Sequence, residues 1–127
     1  MSNLNSYSRI VIKIGSAVLA NAKGKIDHGF LARLAEDVAW LKGRNKDVLI
    51  VSSGAIALGR KNIALSKDLT LAESQALAAH GQIELMIAWK KHMNKYGIHI
   101  GQMLLTPRET ELQVSAKNAK RTIAKLL

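Results

Sequence analysis

Apolar positions change their period along this chain, and each change marks an element. From Ser8 to Ile14, SRIVIKI, β-branched residues run almost without a break, as in a strand buried on both faces and interrupted only by Lys13. Gly15-Ser16 ends that run. After the polar turn NAKGK the spacing becomes helical: Phe30, Leu31, Leu34, Ala35, Val38 and Leu41 form one stripe. This predicts a helix from an Asp27 cap to about Lys42, with Gly43 just past its end. Asp47 to Val51 predicts a second strand, and a short helix from Ala55 to about Lys61 follows it.

Thr70-Leu71-Ala72-Glu73 is a capping box. It opens a long helix to about Lys95, with Gly81 as a candidate break and Gly97 as the stop. Ile98 to Leu105 predicts a third strand. Thr106, Pro107 and Glu109 then have the cap, first-turn proline and glutamate of a new helix, and Val114 to Leu127 continues as helix. Strands alternating with helices mean βαβ units, so the expected fold is α/β, a mostly parallel sheet with helices on both faces. Three strands make a thin sheet, which predicts an open edge and self-association through it.

Composition narrows the class. With 127 residues, 48% hydrophobic content and a single proline, the chain suits one folded domain rather than disorder. It has no cysteine, hence no disulfide framework and no thiolate metal site, which fits a reducing compartment. The start, MSNLNSYSR, lacks the apolar core of a secretory signal, and no stretch approaches the ~18 apolar residues of a membrane span. A cytoplasmic protein without membrane contact is expected.

The net charge of +10, from 19 Lys and Arg against 9 Asp and Glu, suggests anionic partners. The basic residues are spread along the chain and densest at Lys117, Lys120, Arg121 and Lys125, while aromatics amount to 4% and offer few stacking platforms. Solvated helix faces account for this charge more simply than nucleic-acid binding does.

Candidate chemistry follows from the fold class. In an open α/β sheet, ligands bind beyond the carboxyl ends of the strands. Two loops lie there: Lys13-Ile14-Gly15-Ser16-Ala17 and Ser52-Ser53-Gly54-Ala55. Small residues let the backbone approach a ligand, and free N–H groups at a helix start attract an anion. The plainer alternative is that Ser53 caps the helix and Gly54 eases the turn. Lys13 poses a sharper choice. Inside an apolar strand it is costly to bury unless paired, so it either neutralises a phosphate or marks an edge strand where it reaches solvent. Neither a P-loop nor a GxGxxG motif occurs. His28, His80, His92 and His99 lack metal-ligand spacing; His80 and His92 suit helix surfaces or satisfied packing. The carboxylates of Glu36, Asp37, Glu109 and Glu111 fall away from the strand ends.

The stretches RIVIKIGSAVL, VLIVSSGAIALGR, ESQALAAHGQIELMIAW and YGIHIGQMLLT resemble, in order from Arg9 to Leu127, the amino acid kinase family. SSGAIALG followed by AAHGQ and GQMLLT is similar to the branch of that family that phosphorylates glutamate. The resemblance implies an α/β/α sandwich that transfers the γ-phosphoryl of MgATP to the side-chain carboxylate of L-glutamate, the first step of proline biosynthesis. It implies ATP and Mg²⁺ as cofactors, L-glutamate as substrate, and a homo-oligomer. Lys13 matches the family's catalytic, phosphate-contacting lysine, with Gly15 and Ser16 as its glycine-rich loop. Ser53, Gly54 and Ala55 match the loop that holds glutamate. Ala17 departs from relatives that often carry a hydroxyl there.

The family continues into an Asn-Glu-Asn-Asp type run, a nucleotide-binding half and often a PUA domain, which this sequence does not contain. Residues 1–127 are thus expected to form the N-terminal, substrate-binding part of a kinase domain. That part is expected to be inactive alone, with Mg²⁺ held by no protein ligand from this chain. A non-catalytic binding or split-partner module and a basic nucleic-acid binder are the competing readings.

Overall fold

Ile10, Ile12 and Ile14 alternate with Arg9, Val11 and Lys13 along the first strand, β1 (Arg9–Ile14), and this alternation decides what lies on each side of the sheet. The computed structural model describes residues 4–21, 23–60, 63, 68–106 and 111–127. β1 pairs in parallel with β2 (Asp47–Ser52), in a register running from Arg9↔Asp47 to Ile14↔Ser52. Between them come α1 (Ser16–Leu19) and α2 (His28–Lys42); α3 (Ala55–Gly59), α4 (Leu71–Asn94) and α5 (Gln113–Leu126) follow β2. The architecture is α/β with a parallel sheet, which among the described residues has two strands.

Ile12, Ile14, Val48 and Ile50 face α2 and α4, and the core closes between them around Leu19, Leu31, Leu58, Leu85, Trp89 and Met93. Burying one such aliphatic side chain contributes about 1.5–3 kcal/mol. The helix ends are fixed locally. Asp27 accepts a hydrogen bond from the Phe30 N–H at 2.9 Å and starts α2. Thr70 Oγ1 accepts from the Glu73 N–H at 3.2 Å, while the Glu73 carboxylate accepts from the Thr70 N–H at 2.8 Å. The Thr70 N–H, and then the Thr70 hydroxyl donating to the same carboxylate at 2.9 Å, hold the Glu73 carboxyl below its ordinary pKa.

Three expectations need correction. β1 is not buried on both faces: Val11 is 59% exposed and Lys13 is exposed, because α2 and α4 cover only the isoleucine side. On the other side α5 borders a cavity with Arg9 and Leu49, at the far end of the strands from Lys13. The segment 98–105 has no regular secondary structure and forms no third strand. Ile98 and Ile100 pack on the core, Leu126 of α5 lies against Gly101, and a cavity of about 470 Å³ separates the segment from β2. Strand propensity yields a strand only where a neighbouring backbone completes the ladder, and here that distance is not closed. Finally, α4 runs unbroken through Gly81. The helix start expected at Pro107 and Glu109 lies outside the described residues, as does Lys61.

His92 is buried at 4% exposure, which goes beyond the surface or satisfied position expected of it. Its Nε2 lies 3.1 Å from His28 Nδ1, with ring centroids 5.4 Å apart, so the two nitrogens face each other nearly along the line of centres. Its Nδ1 is buried without a partner among the described residues. A bare lone pair is cheaper to bury than an orphaned N–H, so we place the His92 proton on Nε2, donating to His28. Burial, then the charges of His28, Lys95 and Lys91, lowers the His92 pKa. The unfolded chain takes up this proton near pH ~6.5, the folded chain only at lower pH. This contribution to stability is therefore present above pH ~6.5 and lost as pH falls toward the folded value. The urea midpoint should fall between about pH 7.5 and about pH 5.5, and His92→Leu should shrink that fall. An undiminished fall in His92→Leu would assign the acid sensitivity to other groups.

Candidate functional site

Parallel pairing brings both strand ends to the same side of the sheet. Ile14 and Ser52 are register partners, and the Ser53 N–H donates to the Ile14 carbonyl at 3.3 Å, so the two chains leave the sheet side by side. Gly15-Ser16 and Ser53-Gly54 thus form neighbouring rims. Gly54 has φ +121° and ψ −5°, a conformation that L side chains rarely adopt. A Cβ there would lie 3.5 Å from Ser16 Cα, an ordinary contact, so the demand for glycine is conformational and not steric. At Gly15 a Cβ would meet nothing within 4 Å, and the space before this loop is open.

The N-cap of α1 is Gly15 and that of α3 is Gly54; neither end carries a side-chain cap bond. The plainer reading of Ser53 as a helix cap therefore fails: its position precedes the cap, and its exposed hydroxyl does not close the helix end. The expected helix-dipole contribution also needs correction. With four and five residues, α1 and α3 are too short to sum many peptide dipoles. What they present is first-turn amides from two helix starts meeting at one place.

Lys13 sits one residue before the end of β1, opposite Val51 in register and on the sheet face away from the core. It is exposed and takes no ion pair among the described residues, so it incurs little desolvation cost. Its flexible four-carbon stem lets the ammonium act as a mobile point charge near the strand end. A cation and first-turn amides near one another are groups that can bind an anion. Among the described residues, no three His, Asp or Glu side chains come together as a metal site. Glu36 and Asp37 on α2 and Glu111 at the approach to α5 are exposed.

Sequence reasoning missed what holds α3. The helix rests on α4, with Gly59 and Gly81 at the crossing, whereas helix propensity marks Gly81 only as a candidate break. The available signal was the small residues one turn apart at Ala55 and Gly59.

The profile of the amino acid kinase family matches residues 8–127, and this chain belongs to that family. It is 47% identical to a protein of Nitrobacter hamburgensis named glutamate 5-kinase, over 98% of this chain and 34% of the relative. A protein of the same name from Bradyrhizobium diazoefficiens is 47% identical over 98% of this chain and 34% of its own length. Its namesake in Rhizobium etli is 50% identical, with coverage of 98% and 32%. The chain spans about a third of the length of the curated relatives it matches.

The two glycines of the rims should respond oppositely to alanine. Gly54→Ala forces a side chain into φ +121° and should cost on the order of 1–2 kcal/mol. Gly15→Ala, at φ −75° with open space around it, should be neutral or stabilising by up to about 1 kcal/mol. Thermal denaturation of both variants checks this, and equal losses would contradict the described rim.

Proposed function

We propose that residues 1–127 form the glutamate-binding and phosphate-contacting part of a kinase that phosphorylates the side-chain carboxylate of L-glutamate. The observation that carries this reading is the convergence of Lys13, the Gly15-Ser16 rim and the Ser53-Gly54-Ala55 rim at paired strand ends. The relatives' name, glutamate 5-kinase, supports the choice of substrate and reaction.

In this reading a glutamate carboxylate oxygen attacks the γ-phosphorus of ATP. The bond from that phosphorus to the bridging oxygen breaks, ADP leaves with the electron pair, and γ-glutamyl phosphate forms. Such a transfer needs in-line positioning and compensation of charge on the phosphoryl oxygens, with little covalent help from the protein. Ser53, Gly54 and Ala55 hold the glutamate; Lys13, with the amides at Gly15 and Ser16, faces the transferring phosphate. Mg²⁺, when bound, neutralises phosphate charge and would be held largely by the phosphates themselves. The residues present fit a phosphate, and the nucleotide's base and ribose are assigned to the further length found in the relatives. As part of this proposal the protein acts in the cytoplasm, as a homo-oligomer; among the described residues no helix is long and apolar enough to cross a membrane.

Two substitutions test the roles in a protein carrying the family's full length, with hydroxylamine trapping of the acyl phosphate as readout. Lys13→Ala should lower kcat by about 10²–10³, the loss of a transition-state charge contact worth roughly 2.7–4 kcal/mol. Activity within about threefold of the parent would remove Lys13 from the reaction.

Ser53→Ala should raise KM for glutamate more than it lowers kcat, as when binding shared by ground and transition states is lost. A collapsed kcat at unchanged KM would instead place Ser53 at the phosphoryl group.

A further inference from the structure

α3 is five residues long, and a helix of that length has no stability of its own in water. Across its two ends the Leu58 N–H bonds to the Gly54 carbonyl at 3.1 Å and the Arg60 N–H to the Ile56 carbonyl at 3.0 Å. Its place is set by α4. A Cβ built on Gly81 would lie 2.6 Å from the Gly59 nitrogen and closer still to the Ala55 carbonyl oxygen. One built on Gly59 would lie 2.7 Å from the Leu77 carbonyl carbon and nearer to its oxygen. Those obstacles are all backbone atoms, so no rotamer change can make room.

Ala55 and Gly59 are one turn apart, as are Leu77 and Gly81. The contact is therefore one turn seated against one turn, each glycine receiving a carbonyl of the other helix. Leu58 and Leu77, both fully buried, fix this seat within the apolar interior. The carbonyl resting on Gly81 belongs to Ala55, the first residue of α3 and the last of the Ser53-Gly54-Ala55 rim.

We infer that Gly81 and Gly59 are positioning residues for the glutamate rim: their missing side chains set where Ala55, and with it Ser53 and Gly54, stands relative to the Gly15-Ser16 rim. This rests on the reading of that rim as the glutamate site. A methyl group at Gly81 pushes the Ala55 carbonyl outward and tilts the rim away from its neighbour, although residue 81 touches no substrate.

The test is glutamate-induced thermal stabilisation of the protein, compared between Gly81→Ala and Met93→Ala. Met93 is a buried residue of the same helix, over three turns from the crossing, so its truncation loosens the core without touching α3. Gly81→Ala should weaken the apparent glutamate affinity by roughly tenfold or more, while Met93→Ala keeps the parent's response despite its lower melting temperature. An unchanged glutamate response in Gly81→Ala, or equal weakening in both variants, overturns the positioning role.

If Gly81→Ala does not fold, hydrogen exchange on the unsubstituted protein decides. Glutamate should then slow exchange of the amides in α3 and in the 77–81 turn of α4 together, and leave 88–93 unchanged. Protection confined to Ser53 and Gly54 overturns the inference. A parent protein with no response to glutamate in either measurement overturns the assignment of the site itself, an outcome distinct from a parent that responds and a variant that still does.

Discussion

The parallel ladder between β1 and β2 is the constraint on which the rest of the molecule depends. Its register sends Ile12, Ile14, Val48 and Ile50 to one face, where α2 and α4 bury them, and sends Lys13 to the other. A slip by one residue would exchange those faces, burying the lysine and exposing the isoleucines. Because the strands run the same way, both carboxyl ends coincide, and the two rims become neighbours without any contact of their own needing to draw them together.

Backbone geometry then shapes the site more than side chains do. Gly54 turns the chain at φ +121°, Gly15 leaves open space, and Gly59 and Gly81 let α3 and α4 meet main chain to main chain. Four glycines act in three ways: one supplies a conformation, one supplies access, and two supply approach. Among the described residues, exposed polar side chains stand at these strand ends at Lys13, Ser16, Ser52 and Ser53. Such a division suits the phosphoryl transfer proposed for this site, where position and charge compensation carry most of the effect.

The sheet's second face has a different character. Val11 and Val51 are 59% and 48% exposed there, and along the free edge of β2 a cavity of about 470 Å³ lies between the strand and the 98–105 segment. Apolar strand surface left in water is a place where further chain or another molecule would gain most from binding. The relatives are about three times as long as this chain.

Local signals in the sequence determined α2 and α4 and their caps, whereas α1 had no such signal and carries no side-chain cap bond. Asp27 and the Thr70/Glu73 box act through side chain to backbone bonds within a few residues, so no tertiary information is needed to read them. The strand ends and the glycine-bearing loops were legible for the same reason, as was the family, since SSGAIALG, AAHGQ and GQMLLT are contiguous. Tertiary structure alone decided the rest. Whether Ile98 to Leu105 becomes a strand depends on a ladder partner supplied from elsewhere. Whether Lys13 is buried depends on which faces the helices cover. Gly81 reads as a weak point in a helix by propensity, yet it is the place where another helix's carbonyl rests, and only the fold brings Ala55 there. His92 follows the same rule: a polar residue on a helix is buried or exposed according to what packs against it, and here His28, 64 residues away, meets it.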